Sequence, residues 1–208
     1  MEKITKLIAG AGLLAYLIVI AEAIRTQIFT WIPDAVISFF FLGFCLWKWK
    51  ELHLTNTIFL FVLLSFFLHN AGVFGFYGSS PLPIAWDHVT HFVGLFAAGI
   101  FFFNFFEDKF KKGKMFNNIF LLFIVLLVSL GIGSLIENLE FGGYLFLGEG
   151  EGGLYFGEGD AAPGVDTDMR NIAGGGWFNA MWDLVFNLLG ALAAIIAMLI
   201  HRHMILKK

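Results

Sequence analysis

The fifth apolar segment of the chain reads FNNIFLLFIVLLVSLGIGSLIENL over Phe116–Leu139, and it has no charged residue before Glu137. A helix needs about 20 mostly apolar residues to cross the hydrocarbon core of a bilayer. This segment is long enough, so it predicts an α-helical transmembrane protein. Its small residues Gly131, Gly133 and Ser134 predict close contact with a neighbouring helix.

Five further segments of the same kind lie on either side of it. We expect these spans at Leu7–Ile24, Ile32–Trp47, Thr57–Phe74, Asp87–Phe106 and Phe178–Ile200. The 208 residues therefore predict an all-α, polytopic transmembrane helical bundle of about six spans, forming a single transmembrane domain. The second span is short and begins near Pro33, so we expect it to be tilted or to start in the membrane interface.

The composition supports the same class of protein. Hydrophobic residues make up 59% of the chain and charged residues 14%, against roughly 25% in an average soluble domain. A soluble domain of this size could not bury so much apolar surface. The single Cys45 excludes an internal disulfide and C-x-x-C chemistry. The net charge of −3 argues against a nucleic-acid partner, and the absence of lysine from the spans excludes a retinal-type Schiff base.

Lysine and arginine are distributed unevenly among the connections between spans. All 13 of these residues except Arg25 and Arg170 fall on one side of the predicted bundle. Cytoplasmic loops carry the excess of positive charge, so both termini are predicted to be cytoplasmic in a multi-pass protein of the cell membrane. An alternative for the first span is a cleaved signal peptide with a small-residue site at Ala21-Glu-Ala23, which would leave five spans.

A long, Gly-rich and acidic loop, residues 140–177, is predicted between the last two spans on the extracytoplasmic side. Its central sequence GEGEGGLYFGEGD suggests a calcium loop, but residues 166–170 break the order of EF-hand ligands. We therefore expect a flexible acidic lid, with Tyr155 and Phe156 as anchors at the interface.

Polar residues collect at the outer ends of four predicted spans. They are His69 and Asn70 in the third span, Asp87, His88 and His91 in the fourth, Glu137, Asn138 and Glu140 in the fifth, and Asp183 and Asn187 in the sixth. Charged groups are costly inside a membrane, so each is a candidate functional residue. Three pairs are three or four positions apart on one helix and therefore share a face: Asp87 and His91, Glu137 and Glu140, and Asp183 and Asn187. Glu22 and Asp34 lie at the same outer level and are further candidates.

Carboxylates and imidazoles from several helices can form a metal site inside a bundle. The predicted ligands of a divalent metal are Asp87, His91, Glu137, Glu140 and Asp183. Within this set His91, Glu137 and Asp183 are the catalytic candidates, with His69, His88 and Asn187 in support. The same residues could instead relay protons or activate water without a metal.

Each residue also has a purely structural interpretation. Asp87 fits a helix N-cap, and Asp183 fits the first turn of its helix, where the dipole favours an acid. His91 fits an interior histidine bonded to an acid, and Glu140 fits a loop position in water. The grouping of Glu137, His91 and Asp183 at one depth favours a joint site, because the membrane penalises unpaired charge.

The same residues resemble the motifs of a known family. DHVTHF at 87–92 is similar to the D-[KR]-x-x-H-F motif of YjdF-like membrane proteins and of the wider VanZ-like group. ENLE at 137–140 resembles the E-x-x-E that ends their next span, and WDL at 182–184, followed by Gly190, resembles their final helix. His69 lies where the family tends to carry a histidine.

The resemblance covers roughly the C-terminal two thirds of the chain, from the third span onward. Two positions depart from it, since His88 replaces a basic residue and Asn179 replaces an aspartate. The resemblance implies a shared membrane fold with a polar site, and it implies no known reaction.

These observations leave three functions open, all in contact with the lipid bilayer. The first is a membrane-embedded metal-dependent hydrolase that hydrolyses or modifies a lipid or envelope component at the outer leaflet. The second is an ion- or proton-coupled transporter, against which the apolar cytoplasmic halves and the lack of an internal repeat both argue. The third is a non-catalytic subunit of a membrane complex or homo-oligomer.

Overall fold

The computed structural model describes residues 3–29, 31–111, 114–147 and 175–205. These residues form six α-helices: α1 (Lys3–Thr26), α2 (Trp31–Trp47), α3 (Asn56–Asn70), α4 (Trp86–Phe105), α5 (Met115–Leu147) and α6 (Gly175–Ile205). A 3-10 turn at Ala71–Phe74 extends α3, and a second one at Glu107–Lys109 follows α4. The predicted all-α fold class is confirmed.

Five of the described helices are long and apolar enough to cross a membrane. They are α1, α3 with its 3-10 extension, α4, α5 and α6. Helix α2 is the shorter apolar helix that the sequence predicted. Large apolar side chains such as Leu7, Phe40 and Phe116 are exposed on the outside of the bundle, as expected for helices that face lipid.

The connection between α5 and α6 is shorter than the predicted loop at both of its ends. Helix α5 continues to Leu147, and α6 begins at Gly175. The placement of Glu140 in a loop is therefore wrong, because the sequence stays apolar past residues 142–143 and the helix does not end at this glycine pair. The rest of the predicted lid, with Tyr155 and Phe156, lies outside the described residues.

The helices pack as two groups of three. Helices α1, α2 and α3 contact one another, helices α4, α5 and α6 contact one another, and α3 joins the groups by packing on α4. Tyr16, Val19 and Phe59 are buried in the first group, and Phe103 and Val125 in the second. The most extensive helix–helix contact is between α4 and α6.

Small residues let α4 and α6 approach closely. A Cβ atom at Gly190 of α6 would collide with the backbone carbonyl of Phe92 on α4. A Cβ at Gly99 would lie 2.5 Å from the Cβ of Ala194. The contact at Gly190 brings Asn187, about one turn earlier, opposite His91.

Helix α5 reaches the same region through one of the glycines that the sequence singled out. A Cβ at Gly133 would lie 2.6 Å from Nδ2 of Asn187, so α5 and α6 are close at this point. A Cβ at Gly131 would meet no atom within 4 Å, and Ser134 is exposed. The predicted small-residue contact is therefore made by Gly133 and not by the whole patch.

The helices alternate in direction along the chain, so connections 27–31 and 71–85 lie at one end of the bundle and 48–55 and 106–114 at the other. We call the first the outer end, because its connections hold few basic residues and are predicted to face outward. The end of α5 and the start of α6 lie at this outer end as well.

Candidate functional site

His91 is the centre of a buried polar cluster at the outer end of α4, α5 and α6. Its Nε2 lies 3.3 Å from Oδ1 of Asp87, one turn earlier on α4. Its Nδ1 lies 3.0 Å from Oδ1 of Asn187 on α6 and 3.6 Å from Oε1 of Glu137 on α5. Three helices therefore meet at one imidazole that is only 5% exposed.

Asp183 on α6 brings a further carboxyl group to this cluster. It is 1% exposed. Donor atoms of Asp87, His91 and Asp183 all lie within 4.8 Å of one another, and the same holds for His91, Glu137 and Glu140. The five predicted metal ligands thus form two overlapping groups that share His91.

The two nitrogens of His91 have different neighbours. Because Oδ1 of Asn187 accepts a hydrogen bond, Nδ1 carries the hydrogen, and Nε2 faces Oδ1 of Asp87. Metal-binding histidines commonly donate their other N–H to an oxygen acceptor in this way. The group formed by Asp87, His91 and Asp183 is therefore better arranged for a cation than the group on the Nδ1 side.

Among the described residues, acidic groups outnumber basic ones in this cluster. Four carboxyl groups lie around the ring of His91, and His88 is the second imidazole beside them. Charged carboxylates this close together, such as those of Asp87 and Asp183, repel one another, and a cation or a proton between them relieves the repulsion. Carboxylates suit hard divalent cations, and an imidazole adds affinity for zinc or iron.

His88 lies at the edge of the cluster. Its ring stacks on Phe186 with centroids 4.4 Å apart, and its Nε2 is 4.0 Å from Oδ1 of Asp183. Trp182 packs against the same ring at 6.2 Å. The aromatic packing fixes the His88 imidazole beside Asp183.

Two structural interpretations of the acidic residues are wrong. The N-cap of α4 is Ala85, so Asp87 lies inside the first turn and its side chain extends to His91. Helix α6 begins at Gly175, which places Asp183 more than two turns inside the helix. The field of the helix terminus falls off within the first turn, so it does not explain an acid there.

His69, predicted to support this cluster, lies in a different one. Its Nε2 is 3.9 Å from Oδ2 of Asp34 on α2, and its Nδ1 is 3.0 Å from the hydroxyl of Tyr77. The sequence places His69 at the correct depth, but its side chain faces α2 within the first helix group. Glu22, the other candidate at this level, pairs with Arg25 on α1.

Sequence reasoning did not single out Ser38 or Tyr77 in this second cluster. Nδ2 of Asn70 donates to the hydroxyl of Ser38 at 3.0 Å. A signal was present, because Asp34 and Ser38 are four residues apart on an otherwise apolar helix and share a face. Tyr77 lies in a connection, where helical spacing gives no signal.

Comparison with known proteins identifies the family to which the chain belongs. Residues 6–204 match the family described as "Predicted membrane protein (DUF2238)", which is the YjdF-like family. The chain belongs to the YjdF-like family. The match includes α1 and α2, to which the sequence motifs did not extend, and it identifies the chain as an integral membrane protein. No curated protein and no solved structure matches the chain.

The description of the family names no reaction and no site residue. The broader likeness to VanZ-like proteins stays a prediction. The side chain of Asn179, where the chain departs from the family motif, lies outside the described residues.

Proposed function

We propose that the outer cluster binds a divalent cation through Asp87, His91 and Asp183. With this cation, the protein hydrolyses or modifies a lipid or envelope component at the outer face of the cell membrane. One observation gives this proposal its strongest support. Three donor atoms lie within 4.8 Å of one another in a buried site, and Asn187 holds the histidine from its other side.

The surrounding residues suit a hydrolytic or transfer reaction. A divalent cation would supply Lewis-acid chemistry that polarises an ester or phosphoester oxygen. Glu137 and Glu140 are half-buried beside the three ligands and can act as general bases toward water. His88, whose Nε2 faces Asp183, can donate a proton to a leaving group.

The position of the cluster favours a substrate that arrives from the bilayer. Leu139 and Phe141 on α5 and Trp182 on α6 are exposed next to the acids. Apolar exposed side chains at this depth face lipid tails, so the half-buried Glu137 and Glu140 can be reached from the outer leaflet. A lipid can therefore present its polar head to the cluster while its tails stay in the membrane.

The interior below the cluster favours an enzyme over a transporter. Leu95, Ala97 and Gly99 of α4 and Ala191 and Ala194 of α6 are buried between the cluster and the inner end. An ion that crossed the membrane along this contact would meet apolar, tightly packed side chains, where a charge is costly.

Manganese binding tests the site directly. Chelator-free protein in lipid nanodiscs is titrated with Mn²⁺, and bound ion is followed by electron paramagnetic resonance. We expect one tight site in the wild type and at least about tenfold weaker binding in Asp183→Asn, which removes a ligand charge. Asp108→Asn is the matched control, because Asp108 is an exposed aspartate at the inner end that pairs with Lys109. Wild-type binding in Asp183→Asn would reject the ligand set.

The chemistry needs a separate assay. Bilayer lipids and envelope extracts are incubated with the metal-loaded protein, and products are identified by mass spectrometry. We expect a product that requires the cation and is lost in both Asp183→Asn and Glu137→Gln. Tight metal binding without any cation-dependent product would reject the enzyme and favour a non-catalytic subunit.

A further inference from the structure

A second aspartate–histidine pair lies in the α1–α3 group, with the aspartate buried and the histidine side chain 25% exposed. Asp34 of α2 is 0% exposed, and its Oδ2 is 3.9 Å from Nε2 of His69 on α3. The other ring nitrogen of His69 is 3.0 Å from the hydroxyl of Tyr77, in the connection between α3 and α4. The three side chains form a continuous polar line from Tyr77 through His69 to Asp34.

Tyr77 connects this line to a pocket at the outer end. The pocket has a volume of about 370 Å³, and its lining includes Tyr77 and Trp31. Asp34 is fully buried, and neither Asp34 nor His69 lines the pocket. Tyr77 lines the pocket and contacts Nδ1 of His69, so it offers a connection between the pocket and the pair.

Aromatic packing fixes Tyr77 in this position. The rings of Trp31 and Tyr77 are stacked with centroids 6.0 Å apart, and Trp31 meets His69 edge-on at 5.9 Å. A Cβ atom at Gly72 would collide with both Trp31 and Tyr77. The stack of Trp31 and Tyr77 therefore depends on glycine at position 72. The stack holds the hydroxyl of Tyr77 against His69.

We propose that Asp34, His69 and Tyr77 form a proton-binding site, separate from the metal cluster, that exchanges protons with water in the outer pocket. Unpaired charge is costly in the membrane, and histidine is the side chain that changes charge near neutral pH. The site takes one proton, which converts neutral His69 to an imidazolium paired with the Asp34 carboxylate. The charge of the pair rises from −1 to 0.

The proton passes through Tyr77. In the unloaded form the Tyr77 hydroxyl donates to Nδ1 of His69. On loading, this O–H bond breaks as an N–H bond forms at Nδ1, and a proton from pocket water restores the hydroxyl. Nδ1–H then donates to the oxygen of Tyr77, and its O–H turns toward the pocket.

Among the described residues, the other titratable and charged groups around the pair are neutral or paired. On α1, the hydroxyl of Tyr16 is buried, and Glu22 and Arg25 form an ion pair at the wall of the pocket. From α3, Asn70 adds a neutral amide bonded to Ser38. Helix α4 contributes the Trp86 indole, which donates to the Leu68 carbonyl, while its Asp87 and His91 pair with each other and its His88 faces Asp183.

Tryptophan fluorescence reports the charge of His69, because a protonated imidazole quenches an indole that it touches. Full-length protein in nanodiscs is titrated with acid, and the signal of Trp31→Phe is subtracted. We expect one step in this signal as acid is added. His69→Gln should lose the step, and Asp34→Asn should move it to lower pH, since the carboxylate favours the imidazolium.

A pH jump in a stopped-flow instrument tests the route. Tyr77→Phe should keep the amplitude of the step and slow it at least about tenfold. Tyr16→Phe is the matched control, because it removes another buried tyrosine hydroxyl of the α1–α3 group, one that has no hydrogen bond with His69. No step in the wild type, or a step that persists in His69→Gln, overturns the proton site. An unchanged rate in Tyr77→Phe overturns the route through Tyr77.

Discussion

The two helix groups each pair an aspartate with a histidine at the outer end, but the described residues surround the two pairs differently. In α4–α6, four carboxyl groups lie around the ring of His91. In α1–α3, one carboxyl group faces His69, and the neighbouring groups are hydroxyls and an amide. The same pair of residue types is therefore placed in an acid-rich site in one group and in a charge-balanced site in the other.

This difference shows how charge balance selects a ligand for a buried pair. An excess of carboxylates inside a membrane has to be compensated, and a divalent cation compensates two charges at once. A single carboxylate beside a single imidazole is compensated by one proton. Depth and residue type are shared by the two sites, so they do not decide between metal and proton.

Replacing the histidine of each cluster by glutamine should give the largest difference in cation affinity between the two sites. His91→Gln removes the Nε2 donor between Asp87 and Asp183, and we expect cation affinity to fall by more than about 100-fold. His69→Gln should leave cation affinity unchanged, because His69 contacts neither group of ligands. Calorimetric titration with Mn²⁺ measures both. Equal losses in the two variants would mean that the clusters are not independent.

The α4–α6 contact supplies the next prediction. In Gly190→Ala, the new methyl group collides with the Phe92 carbonyl, and we expect a loss of about 1–3 kcal/mol in stability. Gly94→Ala is the control on α4, since no atom lies within 4 Å of its Cβ position. Thermal unfolding in detergent compares them. Equal midpoints would show that the two helices do not need this close approach.

Asn187 should have an intermediate effect, because it positions His91 and is not a ligand. We expect Asn187→Leu to weaken cation binding by about 10-fold or more. Asn187→Asp keeps an oxygen acceptor for Nδ1–H and should restore most of the affinity. Failure of the aspartate to rescue binding would show that Asn187 fills space and does not hold the ring.

A lower pH should have opposite effects on the two sites, because it weakens cation binding at one and favours proton binding at the other. Cation binding needs a neutral His91, so affinity should fall as the pH is lowered, by up to about tenfold per pH unit. Proton uptake at His69 is favoured in the same direction of pH. Mn²⁺ titrations at several pH values check this, and His69→Gln should give the wild-type profile. A cation affinity that is independent of pH would remove His91 from the ligand set.

The sequence predicted the helices well because hydrophobic length is a local property. Five of the six predicted spans begin and end within about five residues of the observed helices. Helix α5 is the exception at its end, since a glycine pair weakens a helix without terminating it. The depth of the polar residues also followed from the sequence, because depth depends only on position along a span.

Partners across helices could not be predicted in the same way. Helical spacing shows that two residues share a face, but it does not show which neighbouring helix that face meets. His69 was therefore grouped with His91, although its side chain meets Asp34. The α4–α6 contact that pairs His91 with Asn187 depends on Gly190 and Phe92, and neither residue indicates its partner in the sequence.

The measurement that tests the central claim most directly is the metal content of protein purified without chelator. Elemental analysis is run on the wild type, Asp183→Asn and Asp34→Asn side by side. The account predicts a stoichiometric divalent metal in the wild type and in Asp34→Asn, and little in Asp183→Asn. Metal absent from all three well-folded proteins, or retained in Asp183→Asn, would contradict the assignment of a metal to the acid-rich cluster.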